Sequence, residues 1–129
     1  MSKSIGLEKN LEILIIDDNE QITKMISTFL KLNNHQCTVA NDGTYGLDLL
    51  NNKNFDVILL DLAMPELDGY EILEKIKDQE ILSKIIVLTA SNITKENQKI
   101  FEKIGTKLVL QKPVDIDTLL EKIKEISNS

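Results

Sequence analysis

Apolar residues along this chain switch repeatedly between two spacings, and the switching outlines a fold. Leu11 to Ile16 is a nearly continuous run of leucine and isoleucine. Such a run predicts a strand covered on both faces, because a half-exposed strand alternates apolar and polar positions. Asp56-Val57-Ile58-Leu59-Leu60 and Ile85-Ile86-Val87-Leu88 repeat the pattern. Weaker strands are predicted at Gln36 to Ala40 and Lys107 to Leu110, which makes five.

Between the strands the spacing changes to three and four residues, the mark of a helix with one apolar face. Ile22, Met25, Ile26, Phe29 and Leu30 form the first stripe, behind a cap at Asp18 or Asn19. Tyr45, Leu49 and Leu50 mark a shorter helix after Gly43, and Tyr70, Leu73 and Ile76 a third that Asp68-Gly69 opens. Ile93, Ile100, Phe101 and Ile104 mark a fourth, closed by Gly105 where a left-handed cap favours glycine. Ile116, Leu119, Leu120, Ile123 and Ile126 mark a fifth, capped by Asp115. Strands alternating with helices predict βαβ units: a parallel sheet, right-handed crossovers, and helices on both faces. Ligands in such folds bind beyond the carboxyl ends of the strands, where the strand order reverses.

Composition narrows the function. At 129 residues and 42% hydrophobic, the chain suffices for one self-contained core. Residues 1–10 read as an extension and 11–127 as the domain. The net charge is −6 and all 15 cations are lysines, none arginine, so no clustered positive surface for nucleic acid is visible. No apolar run approaches the ~20 residues of a membrane span. The start lacks the apolar core of a secretion signal, and the single cysteine, Cys37, cannot pair internally; both fit a cytoplasmic setting. Cys37 lies in an apolar-leaning stretch and reads as packing rather than as a nucleophile. His35, among Asn33, Asn34 and Gln36, reads as a solvated turn residue.

The chemistry sits at the strand ends. The first strand runs into Asp17 and Asp18, the third into Asp61, the fourth into Thr89, and the fifth into Lys112 and Pro113. One aspartate after a strand is commonly a helix cap, and a lone threonine or lysine there is unremarkable. Three carboxylates on one rim are different. A pair about 5 Å apart repels by roughly 3 kcal/mol at an effective dielectric of 20, so a cluster implies a cation or a proton among them. All-oxygen ligation suits Mg2+, which keeps some waters and takes other ligands from phosphate. Phosphoryl transfer needs a nucleophile, a metal and donors to the equatorial oxygens. Asp61 can be the nucleophile, Asp18 the metal ligand with Asp17 acting through water, and Thr89 and Lys112 the donors.

With those residues in view, the chain resembles the receiver domains of two-component response regulators, including those of chemotaxis. The matching stretches are Ile15-Ile16-Asp17-Asp18-Asn19, Leu60-Asp61-Leu62-Ala63-Met64-Pro65-Glu66-Leu67-Asp68-Gly69, Leu88-Thr89-Ala90 and Lys112-Pro113. The resemblance runs from about Glu12 to Ile126. It implies an α/β, flavodoxin-like, doubly wound five-stranded parallel sheet in the order 2-1-3-4-5 with five helices. It further implies phosphorylation of Asp61, Mg2+ held by Asp18, Asp61 and the backbone carbonyl of Ala63, Thr89 and Lys112 contacting the phosphate, and a cis peptide before Pro113. The phosphoryl group would come from a histidine kinase or a histidine phosphotransfer protein docking near the first helix. The output surface would be the fourth helix, fifth strand and fifth helix.

Two departures matter. The position three before Lys112, where the family usually carries Tyr or Phe, is Val109, so activation is expected to proceed by loop and helix rearrangement without an aromatic flip. Ala63 and Ser91, which border the acceptor, are small and cannot orient or block water, so self-dephosphorylation at an ordinary rate is expected. The dimers of the family rely partly on arginines on the output face, so a monomer is expected here. Ser129 follows the fifth helix closely, which suggests a receiver without an attached output domain, either free-standing or part of a larger regulator or hybrid kinase. Two other readings compete. A haloacid-dehalogenase-type phosphatase needs Asp-x-Asp on the first strand and fits poorly, because Asp61 is on a central strand and is followed by Leu62 and Ala63. A pseudo-receiver, binding partners without phosphorylation, would lack residues that are all present here. On the receiver reading the chain is no enzyme beyond its own phosphoryl transfer and dephosphorylation.

Overall fold

A computed structural model describes residues 10–76, 78–90, 92–106 and 108–128. The elements follow in the order β1 (Glu12–Ile16), α1 (Glu20–Leu32), β2 (Gln36–Ala40), α2 (Gly43–Asn52), β3 (Val57–Asp61), α3 (Gly69–Lys75), α4 (Gln79–Leu82), β4 (Ile85–Thr89), α5 (Lys95–Ile104), β5 (Leu108–Gln111) and α6 (Ile116–Ser127). The strands form one sheet in the order β2-β1-β3-β4-β5, every pair parallel. The expected order 2-1-3-4-5 is therefore the observed one. Each predicted helix has its counterpart, the fourth and fifth being α5 and α6. The extra element is α4, a single turn capped by Asp78, whose side chain accepts from Glu80 N. One turn is too short to print a stripe in the sequence.

Side-chain alternation divides the sheet between two cores. Leu14, Ile16, Ile58, Leu60, Ile85 and Val87 point to the side covered by α2, α3, α4 and α5, with Leu50, Ile72, Leu73, Leu82 and Phe101. Ile13, Ile15, Val57, Leu59, Ile86 and Leu88 point to the side covered by α1 and α6, with Ile26, Leu30, Leu119 and Ile123. All five residues of β3 and of β4 are buried, which explains their unbroken apolar runs. The edge strands β2 and β5 are only partly covered, and correspondingly weaker in the sequence.

Local signals set the helix ends. Asn19 rather than Asp18 caps α1, its Oδ1 accepting from Gln21 N at 3.0 Å and Ile22 N at 3.1 Å. Asp68 and Glu71 form a reciprocal capping box at α3. Asp115 caps α6, and Gly105 closes α5 at φ 118°, a backbone conformation that suits glycine. The Lys112–Pro113 peptide is cis, as expected. His35 is not merely solvated: it is half-buried, and its Nδ1 accepts from Leu11 N at 3.2 Å, tying the turn before β2 to the start of β1. Cys37 is half-buried in the α1/α6 core, where burial pushes its thiol up to about 11, in keeping with a packing role.

Candidate functional site

The strand register brings the charged residues together. Ile16 of β1 pairs with Ala40 of β2 on one side and with Leu60 of β3 on the other. The next residue on each chain, Asn41, Asp17 and Asp61, therefore stands in one row along the carboxyl rim. Asp61 pairs with Leu88, and Thr89 with Gln111, so Thr89 and Lys112 continue that rim past β4 and β5. The row straddles the β1/β3 boundary, where the chain's direction of travel through the sheet reverses.

Asp17 and Asp61 are buried, whereas Asp18 is exposed. Carboxylate oxygens from the three lie within 4.8 Å of one another. Lys112 reaches into the cluster: its Nζ donates to Asp17 Oδ2 at 2.9 Å and stands 3.2 Å from Asp61 Oδ1. Asp61 Oδ1 also accepts from Ala63 N at 3.4 Å, and Asp17 Oδ1 from Asn19 N at 3.0 Å. Thr89 is buried at the end of β4, and its carbonyl accepts Lys112 N at 2.7 Å, fixing where the lysine leaves the sheet. Ala63 is exposed just past Asp61. Ser91, the other small neighbour expected here, lies outside the described residues.

The electrostatics follow. Burial raises the Asp61 carboxyl above its ordinary value, the Asp17 charge adds to that, and Lys112 and the Ala63 N–H pull it partway back. Burial by itself would lower Lys112, but its bond to Asp17 and the charges of Asp17 and Asp61 prevail, and its ammonium is held more firmly than in water. Two of the three negative charges are thus partly offset by one cation, and the remaining crowding falls on Asp18. Oxygens on opposite sides of one Mg2+ stand about 4.2 Å apart, close to the observed 4.8 Å spread. The hard donors and this spacing fit a small divalent cation.

Backbone packing also fixes the end of β3. A Cβ at Gly69 would stand 2.5 Å from the Asp61 carbonyl oxygen and 2.7 Å from Leu62 Cα, so α3 begins directly against the end of β3. One residue of the rim, Asn41, has no mark in the sequence, because it follows one of the two weaker strands and carries no charge. Its Nδ2 donates to the Asp17 carbonyl at 2.9 Å and to Thr23 Oγ1 at 3.2 Å.

The site is thus a buried carboxylate paired with a lysine at the switch point of a 2-1-3-4-5 α/β sheet. Comparison with known proteins agrees: residues 13–124 match the model of the response regulator receiver domain, and the chain belongs to that family. It is 30% identical over 117 residues to the sensor histidine kinase RcsC of Escherichia coli K12, covering 91% of this chain but 12% of RcsC. It is 34% identical to the probable transcriptional regulator ycf29 of Pyropia yezoensis, covering 89% of this chain and 52% of that protein. The chain thus spans about half or less of the length of these relatives. Among solved structures, the receiver domain of Francisella response regulator 1452 superposes with a TM-score of 0.84 at 35% identity, covering 92% of this chain and 98% of that one. The chemotaxis protein CheY4 of Vibrio cholerae gives 0.81 at 27% identity, covering 92% and 99%. No helix among the described residues is long and apolar enough to cross a membrane.

Proposed function

We propose that residues 11–127 form a receiver that accepts a phosphoryl group on Asp61 from a histidine kinase or histidine phosphotransfer protein. An Asp61 oxygen attacks phosphorus, the bond from phosphorus to the donor's imidazole nitrogen breaks, and an acyl phosphate forms on Asp61. Asp18 and Asp61, with Asp17 through water and the Ala63 carbonyl, would hold Mg2+, which neutralises charge building on the phosphoryl oxygens. Lys112 is already among the carboxylates and supplies its ammonium to a phosphoryl oxygen, while the Thr89 hydroxyl donates to another. Water later attacks the acyl phosphate and returns Asp61 to a carboxylate.

The observation that carries this reading is the Asp17–Asp18–Asp61 cluster with Lys112 bridging two of its members. A structural acid pair needs no third carboxylate left on the rim. An apolar cleft of about 370 Å³, lined by Ile22, Met25, Pro113, Val114 and Ile116 and reaching Lys112, supports docking of the phosphodonor beside α1. On the output face, a 280 Å³ hollow between α5, β5 and α6, lined by Phe101, Val109 and Lys122, offers a place for a downstream partner to engage the monomer. The test is incubation with acetyl phosphate and Mg2+ followed by intact-mass measurement. Wild type should gain one phosphoryl group and Asp61→Asn none. Equal labelling of the two proteins, or no labelling of either, defeats the reading.

A further inference from the structure

Asp18 carries the metal reading, yet no side-chain hydrogen bond described for this site holds its exposed carboxylate in place. What aims it must be the backbone of the β1–α1 loop. One of the loop's restraints is its own, Asp17 Oδ1 accepting Asn19 N at 3.0 Å, and a second is backbone pairing with the end of β2, Asp17 N donating to the Ala40 carbonyl at 3.1 Å. The third also comes from the end of β2, through a side chain. Asn41 Nδ2 donates to the carbonyl of Asp17, the oxygen of the very peptide that joins Asp17 to Asp18, at 2.9 Å. The same amide donates at 3.2 Å to Thr23 Oγ1, whose own proton goes to the Glu20 carbonyl at 3.1 Å in the first turn of α1. Asn41 thus bridges the end of β2, the Asp17–Asp18 peptide and the first turn of α1.

We propose that Asn41 is a positioning residue for the divalent cation: by fixing the rotation of the Asp17–Asp18 peptide, it points the Asp18 carboxylate into the cluster. The inference rests on the cation site of the reading above and adds to it a residue that touches neither metal nor phosphate. Groups that orient metal ligands from behind typically contribute 10- to 100-fold in metal affinity. Chemistry suits the donor: the Asn41 amide gives its two N–H groups to two oxygens, and a carboxylate gives none.

That requirement allows a test with opposite signs. Asn41→Asp keeps the size of the side chain, removes both donors and adds a negative charge near the cation. Electrostatics alone predicts tighter metal binding; loss of positioning predicts weaker binding. Mn2+ serves as the probe, titrated into metal-free protein while the electron paramagnetic resonance signal of free Mn2+ is followed, with melting in EDTA measured on the same samples. Asn41→Asp and Asn41→Ala should each weaken Mn2+ binding by roughly 10-fold. Thr23→Val, which removes the lateral anchor and the hydroxyl's bond to the Glu20 carbonyl but leaves the bond from Asn41 to the Asp17 carbonyl, should weaken it less. Mn2+ binding by Asn41→Asp that equals or exceeds wild type overturns the proposal. So does a loss of EDTA melting temperature in Asn41→Ala with affinity unchanged, the result of a merely structural contact. If Asn41→Asp does not fold, Asn41→Ala and Thr23→Val decide by the same criteria. Asp18→Ala runs alongside: if it binds Mn2+ as wild type does, the cation site itself is wrong and the Asn41 proposal goes with it.

Discussion

Lys112 Nζ lies 2.9 Å from Asp17 Oδ2, an ion pair that ties the loop after β5 to the end of β1 across 95 positions of sequence. Both partners are largely enclosed, with side-chain exposures of 18% and 1%. Asp17 therefore has little water to fall back on, and Lys112 serves the fold as well as the proposed chemistry.

Lys112→Met should consequently destabilise the protein by about 2–4 kcal/mol at pH 7, because it leaves two enclosed carboxylates without their cation. The deficit should shrink towards pH 4 as the Asp61 carboxyl, raised by burial and by the Asp17 charge, takes up a proton. For wild type the sign is fixed by the raised lysine: its contribution is complete below the ordinary 10.5 and fades as pH rises beyond it. Urea titrations at pH 4, 7 and about 11.5 measure both effects. A pH-independent deficit contradicts the pairing.

Asp61→Asn should move the other way. The Asp61 carboxyl sits above its ordinary 3.8 in the folded protein, so folding takes up protons just above that pH and burying the charge costs stability at neutral pH. The uncharged variant should melt roughly 3–5 °C higher at pH 7, the shift that about 1 kcal/mol produces in a chain of this size. The advantage should decline as acid neutralises the wild-type carboxyl. Calorimetry from pH 7 down to pH 4 checks the direction.

Asp18→Ala should sharply weaken Mg2+ binding while raising the melting temperature in EDTA. Because Asp18 is exposed and Lys112 already offsets its two neighbours, the gain is small, about 1–3 °C. A lower melting temperature than wild type in EDTA contradicts the repulsion.

Val109 is half-buried against the core that holds Phe101, and Phe101 stacks on Tyr70 of α3 with ring centroids 5.9 Å apart. Valine has no ring to swing, and Phe101 is the one α5 side chain buried among the described residues. Beryllofluoride with Mg2+ should therefore shift backbone amides in the β4–α5 loop and in α5 while the χ1 rotamers of Phe101 and Tyr70 stay the same. NMR side-chain couplings before and after addition decide this, and a ring that changes rotamer on this face counts against it.

The sequence by itself determined the fold class, because each sheet-buried run and each helical stripe is a local pattern with its own period. Ile85 to Leu88 reads as a covered strand wherever it is placed, and Asp115 and Gly105 act on the nearest turn. The candidate chemistry was legible for the same reason, as Asp17, Asp18, Asp61, Thr89 and Lys112 each follow an apolar run. What only the tertiary structure decided is who meets whom along the rim. Parallel register sets Asn41, Asp17 and Asp61 side by side, and the lysine crosses two strands to pair first with Asp17. Division of labour between Asp18 and Asn19 at the start of α1 was likewise open until the backbone placed one amide against the helix. Contacts between residues far apart in the chain depend on register and burial, and neither has a local signature.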